Sequence, residues 1–320
     1  MTRGRETACS KAEAIVIGGG IAGLQASIQL SRYRHVTICF DKGYARSHRC
    51  KQYRNILGYP DGVSGQSLRE AGRQQLQGSS VEIRAERVTD LSMTGTQEEP
   101  GFRLQTDQGR TYTARVVLLS AGVEDRLPSI TGLPDCLGLS VYICPDCDGY
   151  EVFEQPAAVI GTGQAAIHML QELVSYTDEL VWIVQEPFTQ PLTSAQQAWL
   201  CSAPVRVYHS PVTDISHEEG HMQALRLGNG EVIRISKAFL AMGGNQVNTR
   251  LARQVGAKSM DNLHLYTESR TKMTSIPGLW AAGDVGYHSE QLVIAMGEGA
   301  QAAIWMHRWL MGKRPPSKSE

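Results

Sequence analysis

Two cysteines three positions apart, Cys144-Pro145-Asp146-Cys147, are followed at once by Asp148-Gly149-Tyr150. At that spacing two thiols can close into a disulfide, or serve as half of a metal site. Glycine-rich turns flank the pair in the chain: Gly18-Gly19-Gly20-Ile21-Ala22-Gly23 before it and Gly161-Thr162-Gly163 after it. Such turns cradle nucleotide cofactors, and a redox-active disulfide needs an electron carrier. The combination points to two-electron transfer between a flavin and a disulfide. A zinc site would require four ligands, and no second Cys-x-x-Cys accompanies the first. Cys9, Cys39, Cys50, Cys136 and Cys201 are scattered and read as reduced or buried thiols.

The elements that must position these groups are legible from apolar patterning. Residues 12–18 form an apolar run ending in glycine, a buried parallel strand. Residues 21–33 carry helical spacing, and 36–40 form a second buried strand ending at Asp41. Strand, helix and strand fit into about 30 residues, the size of one βαβ unit. In Gly18-x-Gly20-x-x-Gly23 the first glycine permits the turn. The second lets the backbone approach a pyrophosphate, and the third lets helix and strand pack closely. Asp41 follows where an acid can hold ribose hydroxyls.

Further along, 66–77 reads as a helix, 81–91 and 102–113 as antiparallel strands with a turn at Asp107-Gln108-Gly109, and 116–119 as a buried strand. The Pro- and Gly-rich stretch 127–138 suggests a crossover into a second domain. A second unit of the same kind follows: strand 157–160, the turn at 161–166, helix 167–174 and strand 180–184, then strands and turns to about residue 240. Near 241–248 the chain is expected to return to the first domain. Residues 278–284 form a strand running into a Gly-Asp turn, and 292–310 a helix. The short polar tail 315–320 ends the chain.

The chain is long enough, at 320 residues with 42% apolar, for two domains with their own cores. A net charge of −1 argues against nucleic acid as a partner. No apolar run of about 20 residues predicts a membrane span. The N-terminus runs directly into the first strand without a leader pattern, so a cytoplasmic location is expected.

Six segments together resemble the low-molecular-weight thioredoxin reductase family over almost the whole chain: 18–23 (GGGIAG), 120–122 (SAG), 144–150 (CPDCDGY), 241–249 (AMGGNQVNT), 278–285 (GLWAAGDV) and 290–303 (EQLVIAMGEGAQAA). The resemblance implies an α/β fold of two Rossmann-like, three-layer ββα domains with the second inserted into the first. The FAD-binding domain would comprise 1–123 and 247–320, and the Cys-x-x-Cys domain 124–246. It also implies FAD, a homodimer, and a disulfide or dithiol substrate such as a thioredoxin-like protein or a small thiol.

Carried over, Gly18, Gly20, Ile21 and Ala22 would cradle the pyrophosphate and Asp41 the adenosine ribose. Lys42, Arg46, Asn55, Val88, Ala121 and Gly122 would line the FAD site. Gly283 and Asp284 would meet the ribityl or pyrophosphate part, and Gln291 and Leu292 at the start of the last helix the flavin pyrimidine. There a helix dipole can favour negative charge on reduced flavin. By the same resemblance Cys147 takes electrons from the flavin, Cys144 attacks the partner disulfide, and Asp148 is the acid–base carboxylate.

The second domain departs from the family. Where the family carries His-Arg-Arg and a further Arg for the 2′-phosphate of NADPH, this chain has Val184-Gln185-Glu186 and Gln190, and His168 replaces an acidic residue. No cation remains in that segment, and Glu186 would repel a phosphate. The expectation is a disulfide oxidoreductase that does not use NADPH, with its electron donor unidentified. Glu186 could instead hold the ribose of NADH. The chain is similar to a pyridine-nucleotide-independent branch that includes the diflavin-linked disulfide oxidoreductases of cyanobacteria, and related dithiol oxidases that pass electrons to oxygen. A second FAD is then one option: the basic loop Arg46-Ser47-His48-Arg49-Cys50-Lys51-Gln52-Tyr53-Arg54 reads as a solvated loop, a dock for an acidic electron donor, or a clamp on a second nucleotide's phosphates, where Tyr53 or Tyr59 could stack on a flavin ring. The alternatives are an ordinary NAD(P)H-dependent thioredoxin reductase and a non-catalytic flavin redox or light sensor.

Overall fold

Alternation of apolar residues along the buried strands decides the layers. In the strand Ala14–Ile17, Ile15 and Ile17 point to one side, and Ala14 and Val16 to the other. The same split recurs in Thr37–Phe40 and Val116–Leu119. A strand buried on both faces belongs to a sheet covered on both sides. The computed structural model describes residues 10–96, 99–188 and 190–314. Cys9 and the tail 315–320 lie outside them.

The chain forms two compact units. One comprises Met1–His48, Gln66–Glu124 and Gln246–Glu320, the other Arg49–Gly65 and Asp125–Asn245. In the first, five parallel strands run in the order Leu279–Ala281, Val116–Leu119, Ala14–Ile17, Thr37–Phe40, Val81–Arg84. One face packs on the helices Ile21–Arg32 and Leu292–Leu310 through Leu24, Leu30, Trp305 and Met306. The other packs on a four-stranded sheet through Leu91, Phe102, Leu104 and Tyr112. This is a three-layer ββα unit.

The second unit repeats the plan. Its parallel sheet runs Val141–Tyr142, Ala238–Ala241, Ala157–Gly161, Leu180–Val184, Val205–Tyr208. The helix Gly163–Leu173 covers one face through Ile167 and Leu170. An antiparallel sheet of Val212–Glu218, His221–Leu227 and Val232–Arg234 covers the other through Ile215 and Leu225.

Three elements differ from the sequence expectation. The stretch 81–91 is two strands: Val81–Arg84 lies parallel in the central sheet, and Val88–Gly95 pairs antiparallel with Pro100–Thr106. Buried Glu86 divides them, because its carboxylate accepts from Thr106, Arg110 and Tyr112 and anchors the crossing. The helix Ser194–Ser202 falls where strands and turns were expected. Its capping box, in which Thr193 and Gln196 each satisfy the other's backbone N–H, was a readable start signal. The segment 49–65, expected with the first domain, belongs to the second unit.

Candidate active site

The dithiol sits on a short helix, Pro145–Asp148, entered through Cys144 in extended conformation. Proline at the first helical position has no N–H to lose, and its fixed φ suits a helix start. Cys144, Cys147 and Asp148 are all half-buried. The structure thus brings the three sequence-predicted residues together on a single turn of helix. Burial pushes the Asp148 carboxyl up to about 7; Glu151 adds to the rise and Lys237 opposes it. A carboxyl poised there can give or take a proton at neutral pH.

Asp148 lines a small pocket with Tyr142, Glu151, Gln52 and Arg54. Two of these come from the segment 49–65, which closes over the 138 turn. Lys51 N–H donates to the Gly138 carbonyl at 3.2 Å. Gly138 has φ +76, and a Cβ there would lie 2.7 Å from the Cys50 Cα, so only glycine allows this approach. Ion pairs Arg49–Asp125 at 3.3 Å and Arg54–Glu151 at 3.2 Å hold the segment, as does a bond from Lys51 Nζ to the Asp135 carbonyl. Cys50, read from the sequence as an incidental thiol, is thereby placed where Asp148 and Cys144 both act on it. Burial, then the Asp148 charge, push its thiol up to about 12, which keeps it protonated and unreactive.

The first unit carries the candidate FAD cradle. Gly20 precedes the helix Ile21–Arg32, which has no side-chain cap and no acid in its first turn. Its leading N–H groups, including those of Ile21 and Ala22, therefore remain for an anion. A Cβ at Gly20 would meet nothing closer than 3.8 Å, whereas one at Gly23 would strike the Ser120 hydroxyl oxygen at 2.7 Å and the carbonyl oxygen of Gly18. The second glycine thus leaves open space and the third permits close packing, as a pyrophosphate cradle requires. The last helix, Leu292–Leu310, likewise starts at Gln291 without a side-chain cap, and both Gln291 and Leu292 are half-buried. Ala121 and Gly122 are half-buried, with Asn248 donating to the Ala121 carbonyl at 3.1 Å. Val88 is buried at the start of its strand.

Several expected ligands already hold partners in the chain. Asp41 is buried; its carboxylate accepts from Arg69 at 2.8 Å, from Arg73 and from the Gly43 N–H at 2.9 Å. A carboxylate has about four acceptor sites, so a ribose hydroxyl can still be accommodated. Lys42 pairs with Glu124. Arg46 pairs with Asp284 at 3.0 Å and with Glu290. Burial pushes the Asp284 carboxyl up, Arg46 opposing and Glu290 adding. Asn55 is exposed in the segment 49–65, which falls in the second unit. The segment's anchors on the 138 turn account for this. The four cations expected to clamp a second flavin's phosphates, Arg46, Arg49, Lys51 and Arg54, are each engaged within the chain.

Sequence reasoning missed a buried cluster behind the Gly283-Asp284 turn. Glu298, 6% exposed, meets Lys272 Nζ at 2.9 Å and His288 Nε2 at 2.8 Å, and accepts from the Gly283 N–H at 3.0 Å. The Glu298 contact pushes His288 up to about 9. Burial works to raise Glu298, but its two cations hold it below the ordinary range. The acid inside GEGA was the readable signal, since a charge on the buried face of a helix demands partners.

In the second unit, the helix Gly163–Leu173 also starts without a side-chain cap. Both ends of the Gln185 amide bond the Val212 backbone, at 3.0 and 2.9 Å. Glu186 pairs with Arg126 at 2.6 Å, and Arg126 also donates to the Met242 carbonyl. This corrects the expectation of a cation-free strand end: Arg126, from outside the segment, offsets the repulsion ascribed to Glu186. Gln190 and His168 are exposed. The chain does hold one His-x-x-x-His pattern, His217 to His221, but it straddles a hairpin turn instead of lying on a helix. His217 meets Asp135 at 3.5 Å, while His221 is exposed. Among the described residues no group of three or more His, Cys, Asp or Glu could hold a metal ion, and no helix is long and apolar enough to cross a membrane.

One chain thus carries two ββα units, the first with a candidate phosphate cradle and the second with a Cys-x-x-Cys turn beside a carboxyl raised toward neutrality. The profile of the pyridine nucleotide-disulphide oxidoreductase family matches residues 12–299, and the chain belongs to that family. It is 28% identical over 307 residues to the bifunctional thioredoxin reductase/thioredoxin of Mycobacterium leprae, covering 93% of this chain and 66% of that one. It is 24% identical to the thioredoxin reductase of Aquifex aeolicus, covering 94% of each. The crystal structure of HlmI superposes with a TM-score of 0.83 at 26% identity, over 95% of this chain and 93% of that one. The chain spans less than two thirds of the length of the first two curated relatives it matches, 43% of one and 66% of the other.

Proposed function

We propose that this protein is an FAD-dependent disulfide oxidoreductase in which two electrons pass between the cofactor and the Cys144–Cys147 pair, and that NADPH is not its electron donor. FAD supplies the two-electron store; Gly18, Gly20 and the first turn of the helix Ile21–Arg32 would hold its pyrophosphate. At the dithiol, the Cys144 thiolate attacks a partner disulfide and releases one partner thiolate, which takes up a proton. Cys147 then attacks Cys144 of the mixed disulfide, releasing the second thiol and leaving the Cys144–Cys147 disulfide. Asp148 receives and returns the protons. The observation that carries this reading is the Asp148 carboxyl, poised near neutrality on the same helical turn as both cysteines. The substrate class is a thioredoxin-like protein or a small disulfide, and a homodimer is the expected assembly.

What supports independence from NADPH is the use of the strand end by the chain itself: Gln185 is tied to Val212 and Glu186 to Arg126, leaving no uncommitted cation among these groups. Anaerobic mixing of the FAD-loaded protein with NADPH should leave the oxidised flavin spectrum unchanged. Rapid bleaching at micromolar NADPH would overturn that part of the reading and favour an ordinary thioredoxin reductase. A second FAD against the basic loop would have to displace the partners that Arg46, Arg49 and Arg54 hold within the chain; flavin released on denaturation measures the stoichiometry.

A further inference from the structure

Beside the dithiol, the pocket holds more charge than an acid–base carboxyl requires. Tyr142, Asp148, Glu151 and Arg54 all line it. Lys237, immediately before the strand Ala238–Ala241, donates from Nζ to the Tyr142 hydroxyl at 3.0 Å, and that hydroxyl donates to the Leu139 carbonyl at 2.6 Å. The ammonium also lies over the Tyr142 ring, 5.4 Å from its centroid. Tyr142 is buried, so this chain of bonds holds a lysine in a fixed place beside the pocket. From the other side, Arg54 Nε fixes Glu151 Oε1 at 3.2 Å. A positive and a negative side chain, each tied by its own partner, thus act on one carboxyl.

We propose that Lys237 and Glu151 are positioning residues for Asp148, setting in opposite directions how tightly it holds the proton it exchanges with the dithiol. The proposal rests on the acid–base role of Asp148 given above. Burial is the main force keeping the proton on Asp148. Glu151 reinforces it by like-charge repulsion, and Lys237 weakens it by attraction. The other titratable groups facing this carboxyl or its neighbours are Cys50 and Arg54 from the 49–65 segment, Tyr142 from its strand, and Cys144 on the same turn; the Tyr176 ring packs on Gly149. Cys50 and Tyr142 are both pushed up, first by burial, and stay neutral at pH 7. Glu151, Lys237 and Arg54 are the charged groups that act on this carboxyl or on its immediate partners. Burial in turn lowers the proton affinity of Lys237, so its charge is held there at a cost that a purely solvated lysine would not bear. Arg54 acts at second hand, by neutralising Glu151, which gives the segment 49–65 a hold over the dithiol's proton balance.

The test is the pH profile of thiol exchange. The FAD-loaded full chain is reduced, desalted anaerobically and mixed with 4,4′-dithiodipyridine at pH 5 to 9, and the rate is followed by the released thiopyridone. Asp148→Asn identifies the step in the profile that belongs to this carboxyl. Lys237→Met should move that step up by about one pH unit, and Glu151→Gln should move it down by a similar amount, the size of one fixed, partly solvated charge at close range. Lys237→Arg, which keeps the charge, should leave it near its wild-type position. A step unmoved in both Lys237→Met and Glu151→Gln, or moved in the same direction by both, overturns the proposal. Should Lys237→Met not fold, Glu151→Gln and Lys237→Arg still decide it, since a purely packing role predicts no shift in the first and a disturbed profile in the second. A wild-type profile in Asp148→Asn would instead remove the acid–base role of Asp148 itself.

Discussion

Replacing Glu298 with Gln tests the buried cluster behind the Gly283-Asp284 turn, because it removes a charge while keeping shape and one acceptor. Lys272 and His288, each 16% exposed at the side chain, would be left without their anion. Unpairing a buried ion pair costs about 3–5 kcal/mol, and slight solvent access places this site at the lower end. The His288 side offers a second route to the magnitude. Its folded value of about 9 lies above the ordinary 6.5, and that difference corresponds to roughly 3 kcal/mol of preference for the charged form.

The sign follows from linkage. A histidine raised on folding contributes its stability fully below pH 6.5 and loses it as pH rises through about 9. Glu298, depressed on folding, contributes above its unfolded value and loses this only in acid. The wild-type cluster is therefore strongest between these limits. Urea denaturation of the FAD-loaded protein, followed by far-ultraviolet circular dichroism, should show Glu298→Gln destabilised by about 3 kcal/mol at pH 7, with the deficit falling by roughly half at pH 10. An unchanged midpoint at pH 7, or a deficit independent of pH, would refute the account. The same variant should release flavin more readily, because Glu298 fixes the Gly283 N–H in the turn expected to face the cofactor.

Other outcomes are equally open to measurement. Cys147→Ser should accumulate a mixed disulfide with a thioredoxin-like or small-molecule partner through Cys144, visible as a mass adduct, whereas Cys144→Ser should accumulate none; the reverse pattern exchanges their roles. Asp148→Asn should be more stable than wild type at pH 8 by about 1–3 kcal/mol, since a carboxyl raised to about 7 opposes folding once ionised; the gain should vanish below pH 4. Gly138→Ala should loosen the 49–65 segment at a cost of about 1–3 kcal/mol for the positive φ alone, read as faster amide hydrogen exchange at Lys51 and Tyr53. Glu186→Gln should free Arg126 and raise the affinity for 2′,5′-ADP several-fold in a calorimetric titration; no change would show that this strand end does not receive a nucleotide phosphate.

The family and the layered fold were legible in the chain because both depend on local rules. A Cys-x-x-Cys pair carries its geometry in its spacing, a glycine turn carries its own backbone freedom, and strands buried on both faces betray themselves as apolar runs. The strand Leu180–Val184 and the helix Leu292–Leu310 fall where patterning placed them. The break at Glu86 was hidden because a strand's alternation continues through a turn whose anchor is a carboxylate reaching Thr106, Arg110 and Tyr112 from a neighbouring hairpin. What only the tertiary structure decided is which charges face one another. The pairing of Arg126 with Glu186, of Lys237 and Arg54 around Asp148, and of Lys272 and His288 on Glu298 joins residues between 10 and 94 positions apart. Electrostatic interaction falls with distance in space and not along the chain, so the proton affinities at this site are a property of the folded molecule alone.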